Sequence, residues 1–193
     1  MKAGANALGF VFAPSPRRIT PSRAAAITSH VHPSVITVGV FVDAALDTVL
    51  DVVERARLGG VQLHGAGAGA QVEALRKARP GLFVIQVVRA TGPGSLAGLE
   101  SAADAVMVDP KDPHNLTTPS EPIPLAWLEA AGHARTIIAG GLTPGNVGAV
   151  VRRLHPFGVD VSGGVETSPG RKDPALVSRF VHEVRLAEAG VGP

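Results

Sequence analysis

Short apolar segments rich in valine and isoleucine alternate along the chain with longer amphipathic segments. Unbroken apolar runs of this kind are typical of strands that are covered on both faces. Seven of them are present: Ala7 to Phe12, Ile36 to Val42, Gly60 to Leu63, Leu82 to Val88, Ala105 to Val108, Thr136 to Ala139 and Gly158 to Val161. Because helical patterns fall between them, the sequence predicts a parallel α/β sheet.

The segments between the strands carry apolar residues at helical spacing, which predicts a helix in each. The apolar positions are Leu46, Val49, Leu50 and Val53; Val72 and Leu75; Leu96 and Leu99; Trp127 and Leu128; Val147 to Leu154; and Leu176 to Leu186. Ser22 is predicted to cap a further helix that runs through Ile27. The proline-, serine- and threonine-rich segment 110–124 lies inside the repeat, so we interpret it as an active-site lid.

With 193 residues, the chain is predicted to form a single domain that spans residues 1–193. An odd number of strands allows two architectures. The sheet is either open and doubly wound, or it belongs to a (β/α)8 barrel with one of its eight units missing. The alternation pattern alone does not separate these two architectures.

Composition excludes several classes of function. A formal net charge of +2 and an aromatic content of 4% provide neither a basic stripe nor stacking platforms for nucleic acid. The sequence contains no cysteine, and its histidines are scattered, so no metal site is expected. No apolar run approaches the roughly 20 residues that span a bilayer. No signal peptide is visible at the N-terminus either, so we expect a cytoplasmic protein with no membrane partner.

Two apolar runs end in paired glycines, Gly140-Gly141 and Gly163-Gly164. Glycine has no Cβ, so a ligand can approach the backbone closely, and the N–H groups of such turns favour anions. Two such turns at the C-terminal face of a barrel are typical of phosphate sites. We therefore expect Gly140, Gly141, Ser162 and Gly163 to hold a phosphate, with an ordinary tight turn as the alternative.

The candidates for chemistry are the polar residues at the carboxyl ends of the predicted strands, which are Arg17, Asp43, His64, Asp109, Asp160 and Ser162. Asp109 emerges from an apolar strand and is a candidate general acid, or else a loop cap. His64 either orients a substrate or has a structural hydrogen bond, and Gln62 shares its face of the strand. Arg17 suits bidentate capture of a carboxylate, or is a solvated loop residue. Asp160 alternates with Ser162, so both are expected on one face.

Five segments of the chain resemble, in order, one known family. They are Ala7 to Arg17, Val38 to Val42, Val61 to Gly65, Gly140 to Val147 and Asp160 to Asp173. Together they are similar to the phosphoribosylanthranilate isomerases of tryptophan biosynthesis. The resemblance implies a (β/α)8 barrel that converts N-(5-phosphoribosyl)anthranilate into an enol-aminoketose by an Amadori rearrangement, without cofactor or metal.

The resemblance also implies roles for the candidate residues other than Asp43. Asp109 matches the general acid that opens the furanose ring. Three residues match substrate-binding positions, namely Arg17, His64 and Asp160. The phosphate cradle is matched by Gly140, Gly141, Ser162 and Gly163. The expected partner is the small phosphosugar substrate, and the expected assembly is a monomer or a homodimer.

The chain departs from the family in two places. Family members begin with a strand and a Cys-Gly-x-Thr turn that supplies the general base, whereas this chain starts about one β/α unit later and has no cysteine. The loop after the acid, 115–122, also lacks the family's glycine hinges. A chain without the first strand is expected to expose sheet edges, to self-associate and to have little activity. The alternatives are an impaired phosphosugar-binding barrel and another sugar-phosphate isomerase.

Overall fold

Seven parallel strands form one curled sheet in which each strand pairs with its neighbours in the sequence. The computed structural model describes residues 3–96, 101–112, 121–128 and 135–190. The strands are β1 Ala7–Val11, β2 Ile36–Val42, β3 Gly60–His64, β4 Phe83–Arg89, β5 Ala105–Asp109, β6 Thr136–Ile138 and β7 Gly158–Val159. The prediction of a parallel α/β sheet with seven strands is therefore confirmed.

Six α-helices lie in the described residues, and they connect successive strands or follow the last one. They are α1 Pro21–Thr28, α2 Leu46–Ala56, α3 Ala68–Ala78, α4 Leu125–Leu128, α5 Val147–Leu154 and α6 Pro174–Glu188. The segment around Leu96 forms a 3-10 turn, Pro93–Leu96, and the predicted helical residue Leu99 lies outside the described residues. None of these helices is both long enough and apolar enough to cross a membrane.

The predicted helix cap at Ser22 is wrong. The side chain of Thr20 caps α1, because its Oγ1 accepts a hydrogen bond from the Arg23 N–H at 3.3 Å. Pro21 follows it in the first turn, where the missing N–H of proline costs nothing. The cap therefore precedes the proline rather than following it.

A two-stranded hairpin that the apolar pattern did not predict follows β7. It consists of β8, Glu166–Ser168, and β9, Arg171–Lys172, joined by a turn at Gly170 with φ of +84°. Directly after β9, the Asp173 side chain accepts hydrogen bonds from the Ala175 and Leu176 N–H groups and caps α6. The hairpin is therefore held between the end of β7 and a capped helix.

The core has three clusters, two that join strands to helices and a smaller one on the inner face of the sheet. Between the sheet and the helices, Leu63 of β3 packs with Val49 of α2 and Leu75 of α3 in one large cluster. On the inner face, a smaller cluster contains mainly strand residues, among them Ile85, Met107 and Ile137. Because Met107 registers with Ile137 across β5 and β6, the inner face is continuous from strand to strand. The helices thus cover only the outer face, and the open end of the inner face is left for a ligand.

The two edges of the sheet are β1 and β7, and no described strand pairs with their outer sides. Side chains bridge the opening instead. At one end, Arg185 of α6 donates a hydrogen bond to the Gly4 carbonyl oxygen at 3.4 Å. At the other end, Arg17, which follows β1, forms an ion pair with Glu166, which follows β7. The predicted lid is described only at its two ends, because residues 113–120 lie outside the described residues.

Leu63→Ala should lower the free energy of unfolding by about 2–5 kcal/mol, because it removes buried apolar contacts and leaves a cavity in the core. Leu63 is 1% exposed, whereas Ile27 on α1 is 43% exposed. The matched variant Ile27→Ala should stay within about 0.5 kcal/mol of the wild type. Urea denaturation measures both, and equal losses for the two variants would contradict the assignment of the core.

Candidate functional site

The carboxyl ends of the strands bring the predicted polar residues to one edge of the sheet. His64 ends β3 and Asp109 ends β5, while Asp160 directly follows β7 and Arg17 lies in the loop after β1. All seven strands are parallel, so these residues share the same end of the curled sheet. The structure therefore brings together side chains that are up to 143 positions apart, between Arg17 and Asp160.

Asp109 lies beside the first glycine turn. A Cβ placed at Gly140 would lie 3.4 Å from Asp109 Oδ1 and would collide with the ring of Pro110. Asp109 Oδ1 accepts a hydrogen bond from the Lys111 N–H at 2.9 Å. Burial raises the pKa of this carboxyl, and the contact with Lys111 opposes the rise without cancelling it. A carboxyl with a raised pKa suits the donation of a proton.

Asp160 is a second carboxyl on the same face. It is surrounded by protein yet accessible to solvent, as expected at the bottom of an open concave site. Burial and, to a smaller extent, repulsion from the Asp109 carboxylate together raise its pKa to about 6. Since Asp109 contributes to this shift, the two carboxyls interact across the site.

His64 is buried on the inner face with Gln62. The Nε2 atoms of the two side chains lie 2.7 Å apart. An amide nitrogen only donates, so His64 accepts through Nε2 and its ring is neutral. Burial and, to a smaller extent, the positive charge of Lys111 together lower the pKa of His64 to about 4. The predicted sharing of a face by Gln62 and His64 is confirmed.

Glu166 holds Arg17 in a fork of hydrogen bonds. Arg17 Nε donates to Glu166 Oε1 at 3.0 Å, and Arg17 Nη2 donates to Oε2 at 2.7 Å. The side chains of Arg17 and Glu166 are only 18% and 4% exposed. This arrangement is bidentate and largely buried, so it fixes the plane of the guanidinium as well as its position. Arg17 is thus not the solvated loop residue of the alternative interpretation.

Lys172 is the second cation on Glu166. Its Nζ donates to Glu166 Oε1 at 3.0 Å and to the Ser162 carbonyl oxygen at 2.9 Å. Burial acts to raise the pKa of Glu166, but the hydrogen bonds from Arg17 and Lys172 outweigh it and hold the pKa at about 2. Glu166 is therefore ionised at all physiological pH values, and it joins Arg17 to the second glycine turn.

The two glycine turns pack against each other. Gly140 and Gly141 have φ of +85° and +62°, values that L side chains rarely adopt. The side chain of Asn146 holds the first turn, since its Oδ1 accepts from the Thr143 N–H and its Nδ2 donates to the Gly141 carbonyl oxygen. In the second turn, a Cβ at Gly164 would collide with the Leu142 carbonyl oxygen. The two turns therefore form one continuous surface of backbone.

Arg17 also borders the second turn. A Cβ placed at Gly163 would lie 3.8 Å from Arg17 Nη2, which is the nearest heavy atom. Ser162 and Gly163 are exposed, and Gly163 starts a 3-10 turn, Gly163–Val165. The glycine turns and the guanidinium thus line neighbouring parts of one open surface, where a ligand with two separated anionic groups fits.

Sequence reasoning missed three charged residues of this face, Lys111, Glu166 and Lys172. Lys111 influences the pKa values of both His64 and Asp109. Glu166 and Lys172 are paired across the hairpin, and the Pro169-Gly170 turn between them was the signal that predicts such pairing. Among the residues that the structure describes, no group of three or more acidic, histidine or cysteine side chains is arranged to hold a metal ion.

A comparison of the sequence with family models matches residues 1–183 to the family described as N-(5'phosphoribosyl)anthranilate (PRA) isomerase. Individual relatives agree with this match. The chain is 42% identical over 188 residues to the N-(5'-phosphoribosyl)anthranilate isomerase of Geobacter sp. (strain M21), and the alignment covers 96% of this chain and 90% of that protein.

Solved structures give the same result. The phosphoribosyl anthranilate isomerase of Thermus thermophilus is 36% identical, with a TM-score of 0.81, and the match covers 95% of this chain and 90% of that one. A phosphoribosyl anthranilate isomerase in complex with reduced 1-(o-carboxyphenylamino)-1-deoxyribulose 5-phosphate is 31% identical, with a TM-score of 0.75. That match covers 95% of this chain and 89% of the other.

His64 should make stability depend on pH between about 4 and 6.5. Its pKa is about 4 in the folded chain against an ordinary value of 6.5, so the unfolded chain binds more protons in this interval. The free energy of unfolding should therefore rise with pH through this interval and level off above it. The difference between the wild type and His64→Gln, measured by denaturation at several pH values, should follow that curve. A difference that does not change with pH would contradict the assignment.

Proposed function

The chain belongs to the N-(5'-phosphoribosyl)anthranilate isomerase family, and on that premise we propose that it catalyses the Amadori rearrangement of N-(5'-phosphoribosyl)anthranilate in tryptophan biosynthesis. The product is 1-(2-carboxyphenylamino)-1-deoxyribulose 5-phosphate. The observation that carries this proposal is the placement of a carboxyl of raised pKa, Asp109, beside the glycine turn at Gly140. A phosphate on that turn leaves its sugar next to the acid.

Asp109 is proposed as the general acid. The first step needs a proton on the furanose ring oxygen, so that the bond from C1 to this oxygen breaks and a Schiff base forms. A buried carboxyl keeps its proton to a higher pH than an exposed one and is more able to supply it. The Lys111 N–H that donates to Oδ1 restricts the orientation of the carboxyl.

The two anionic ends of the substrate have separate sites in this proposal. Gly140, Gly141, Ser162 and Gly163 hold the phosphate through backbone groups, which avoids the cost of bringing a charged side chain into the cradle. Arg17 binds the carboxylate of the anthranilate, since a planar guanidinium matches a planar carboxylate. The phosphate and the carboxylate together fix the position of the ribose between them.

His64 and Asp160 are proposed to contact the ribose portion of the substrate. A neutral His64 donates or accepts a hydrogen bond without adding charge to the site. With a pKa of about 6, Asp160 is mostly ionised near neutral pH and accepts hydrogen bonds from sugar hydroxyls. Removal of the C2 proton needs a base, which the resemblance assigns to a cysteine that the 193-residue sequence does not contain. We assign this step to no residue.

The partner in solution is a small phosphosugar, and a monomer or homodimer of this chain remains a prediction. A cytoplasmic location is proposed on the same basis, because a metabolite that carries both a phosphate and a carboxylate does not cross membranes unaided.

The direct test of the proposed function is an isomerase assay with freshly made phosphoribosylanthranilate. Turnover supports the proposal. Absence of turnover with retained binding of the reduced product analogue would contradict it and favour an impaired phosphosugar-binding barrel.

Asp109→Asn should lower kcat by at least about 100-fold, the scale expected for the loss of a general acid. Affinity for the reduced product analogue should stay within a few-fold of the wild type, because the amide has the same shape as the carboxyl. Steady-state kinetics and calorimetric titration measure the two quantities. The control is Asp51→Asn, which removes an exposed carboxylate on α2 and should change neither. Turnover close to wild type would remove Asp109 from the mechanism.

Gly163→Val should weaken binding of inorganic phosphate and of the reduced product analogue together. A Cβ is accommodated at this position without collision in the fold, so the isopropyl group blocks approach of a ligand to the backbone. Gly67→Val is the matched control, since a Cβ at Gly67 has no heavy atom within 4 Å. Unchanged phosphate affinity in Gly163→Val, measured by competition with the analogue, would place the phosphate elsewhere.

A further inference from the structure

Glu166 is a buried carboxylate that the proposed reaction does not use. Its side chain is 4% exposed, and it accepts hydrogen bonds from Arg17 Nε, Arg17 Nη2, Lys172 Nζ and the Gly170 N–H. A carboxylate with four such donors is fully committed and takes no part in proton transfer. Its consequence for function must therefore act through the groups that it holds.

The group that Glu166 holds most closely is the Arg17 guanidinium. Three hydrogen bonds, at 2.7 to 3.1 Å, join the two side chains along the edge formed by Nε and Nη2. This edge is therefore turned toward Glu166, and the rotation of the guanidinium plane is fixed. An arginine on a loop that follows an edge strand would otherwise distribute over several rotamers, and ordering it would oppose ligand binding.

Glu166 itself is rigidly mounted. It belongs to β8, it registers with Lys172 of β9, and the Val165 carbonyl oxygen accepts a hydrogen bond from the Asp173 N–H at the start of α6. Lys172 also donates to the Ser162 carbonyl oxygen, so the same carboxylate is connected to the second glycine turn. The distance between the guanidinium and that turn is thus set by one network, Arg17–Glu166–Lys172–Ser162.

We infer that Glu166 is a positioning residue, which orients Arg17 toward the carboxylate on the substrate's aromatic ring. The site thereby prefers ligands whose aromatic ring carries this carboxylate over ligands that lack it. The inference rests on the proposed function, because it takes the phosphate on the glycine turns and the carboxylate on Arg17. Glu166 never touches the substrate. Its effect on a ligand should therefore depend on whether that ligand carries the group that Arg17 binds.

The test compares three probes on the intact chain. They are the reduced product analogue, the same analogue without its carboxylate, and inorganic phosphate. Glu166→Gln should weaken binding of the carboxylated analogue by about 10- to 100-fold, as observed for outer partners that orient metal ligands. Binding of the decarboxylated analogue should change by less than about threefold, and so should binding of phosphate, because neither contacts Arg17 through a carboxylate. In kinetics, the same variant should raise KM more than it lowers kcat.

Two further variants distinguish an effect on the orientation of Arg17 from an effect on the folding of the chain. Arg17→Lys keeps Glu166 and the positive charge but cannot form the fork, so it should lose the preference for the carboxylated analogue to a similar extent. In an Arg17→Met background, Glu166→Gln should have no further effect on that preference. Asp51→Asn, which breaks the exposed ion pair with Arg55, is the control for loss of a carboxylate–arginine pair away from the site.

The outcomes are distinct. Selective weakening of binding of the carboxylated analogue in Glu166→Gln, and in Arg17→Lys, supports the inference. If Glu166→Gln does not fold, Glu166→Asp, which keeps the charge but shortens the side chain that holds Arg17, takes its place in the comparison. Equal loss of both analogues means a purely structural role and overturns it. Unchanged binding of all probes overturns the inference while the proposed function stands. Failure of the wild type to bind the carboxylated analogue contradicts the proposed function and the inference together.

Discussion

The ion pair between Arg17 and Glu166 joins the two ends of a sheet that backbone hydrogen bonds leave open. Within the described residues, no strand pairs with the outer side of β1 or β7, and only an isolated bridge between Val11 and Arg18 covers part of β1. Sheet edges of this kind expose polar backbone groups. The two residues are 149 positions apart in the sequence, and their ion pair connects the two edges of the sheet at the end where its strands terminate. Because the pair is bidentate and largely buried, it constrains the segments on both sides more than an exposed salt bridge would.

The same face shows how one fold separates opposite electrostatic requirements. Glu166 lies between two cations and stays ionised, whereas burial raises the pKa values of Asp109 and Asp160, which have no such pair of cations hydrogen-bonded to them in the described residues. Burial acts in the same direction on all three carboxyls, so the difference comes from their partners. Arg17 and Lys172 supply direct hydrogen bonds to Glu166, while Asp160 faces the like charge of Asp109. Carboxyls of similar intrinsic chemistry thus differ in their charge states. Glu166 stays ionised within a network of hydrogen bonds, whereas Asp109 and Asp160 are the carboxyls proposed to act on the substrate.

Much of the fold was predictable, because it depends on local patterns. The apolar runs located all seven strands within two residues, and helical spacing located α2, α3, α5 and α6. Errors came where one residue type competes with another at an element boundary, as where Thr20 and not Ser22 caps α1. The hairpin at Glu166–Lys172 was missed because its strands are short and polar, and apolar periodicity does not report on such strands.

The sequence by itself determined the order of the elements, the family and the identity of the residues at the strand ends, since each of these follows from neighbouring positions. His64, Asp109 and the glycines at 140 and 141 were found in this way. Only the tertiary structure decided which of these residues meet and what charge each carries. The pairing of Arg17 with Glu166 and the repulsion between Asp109 and Asp160 arise from elements far apart in the chain. A pKa depends on burial and on neighbouring charges in space, and both are determined only when the chain has folded.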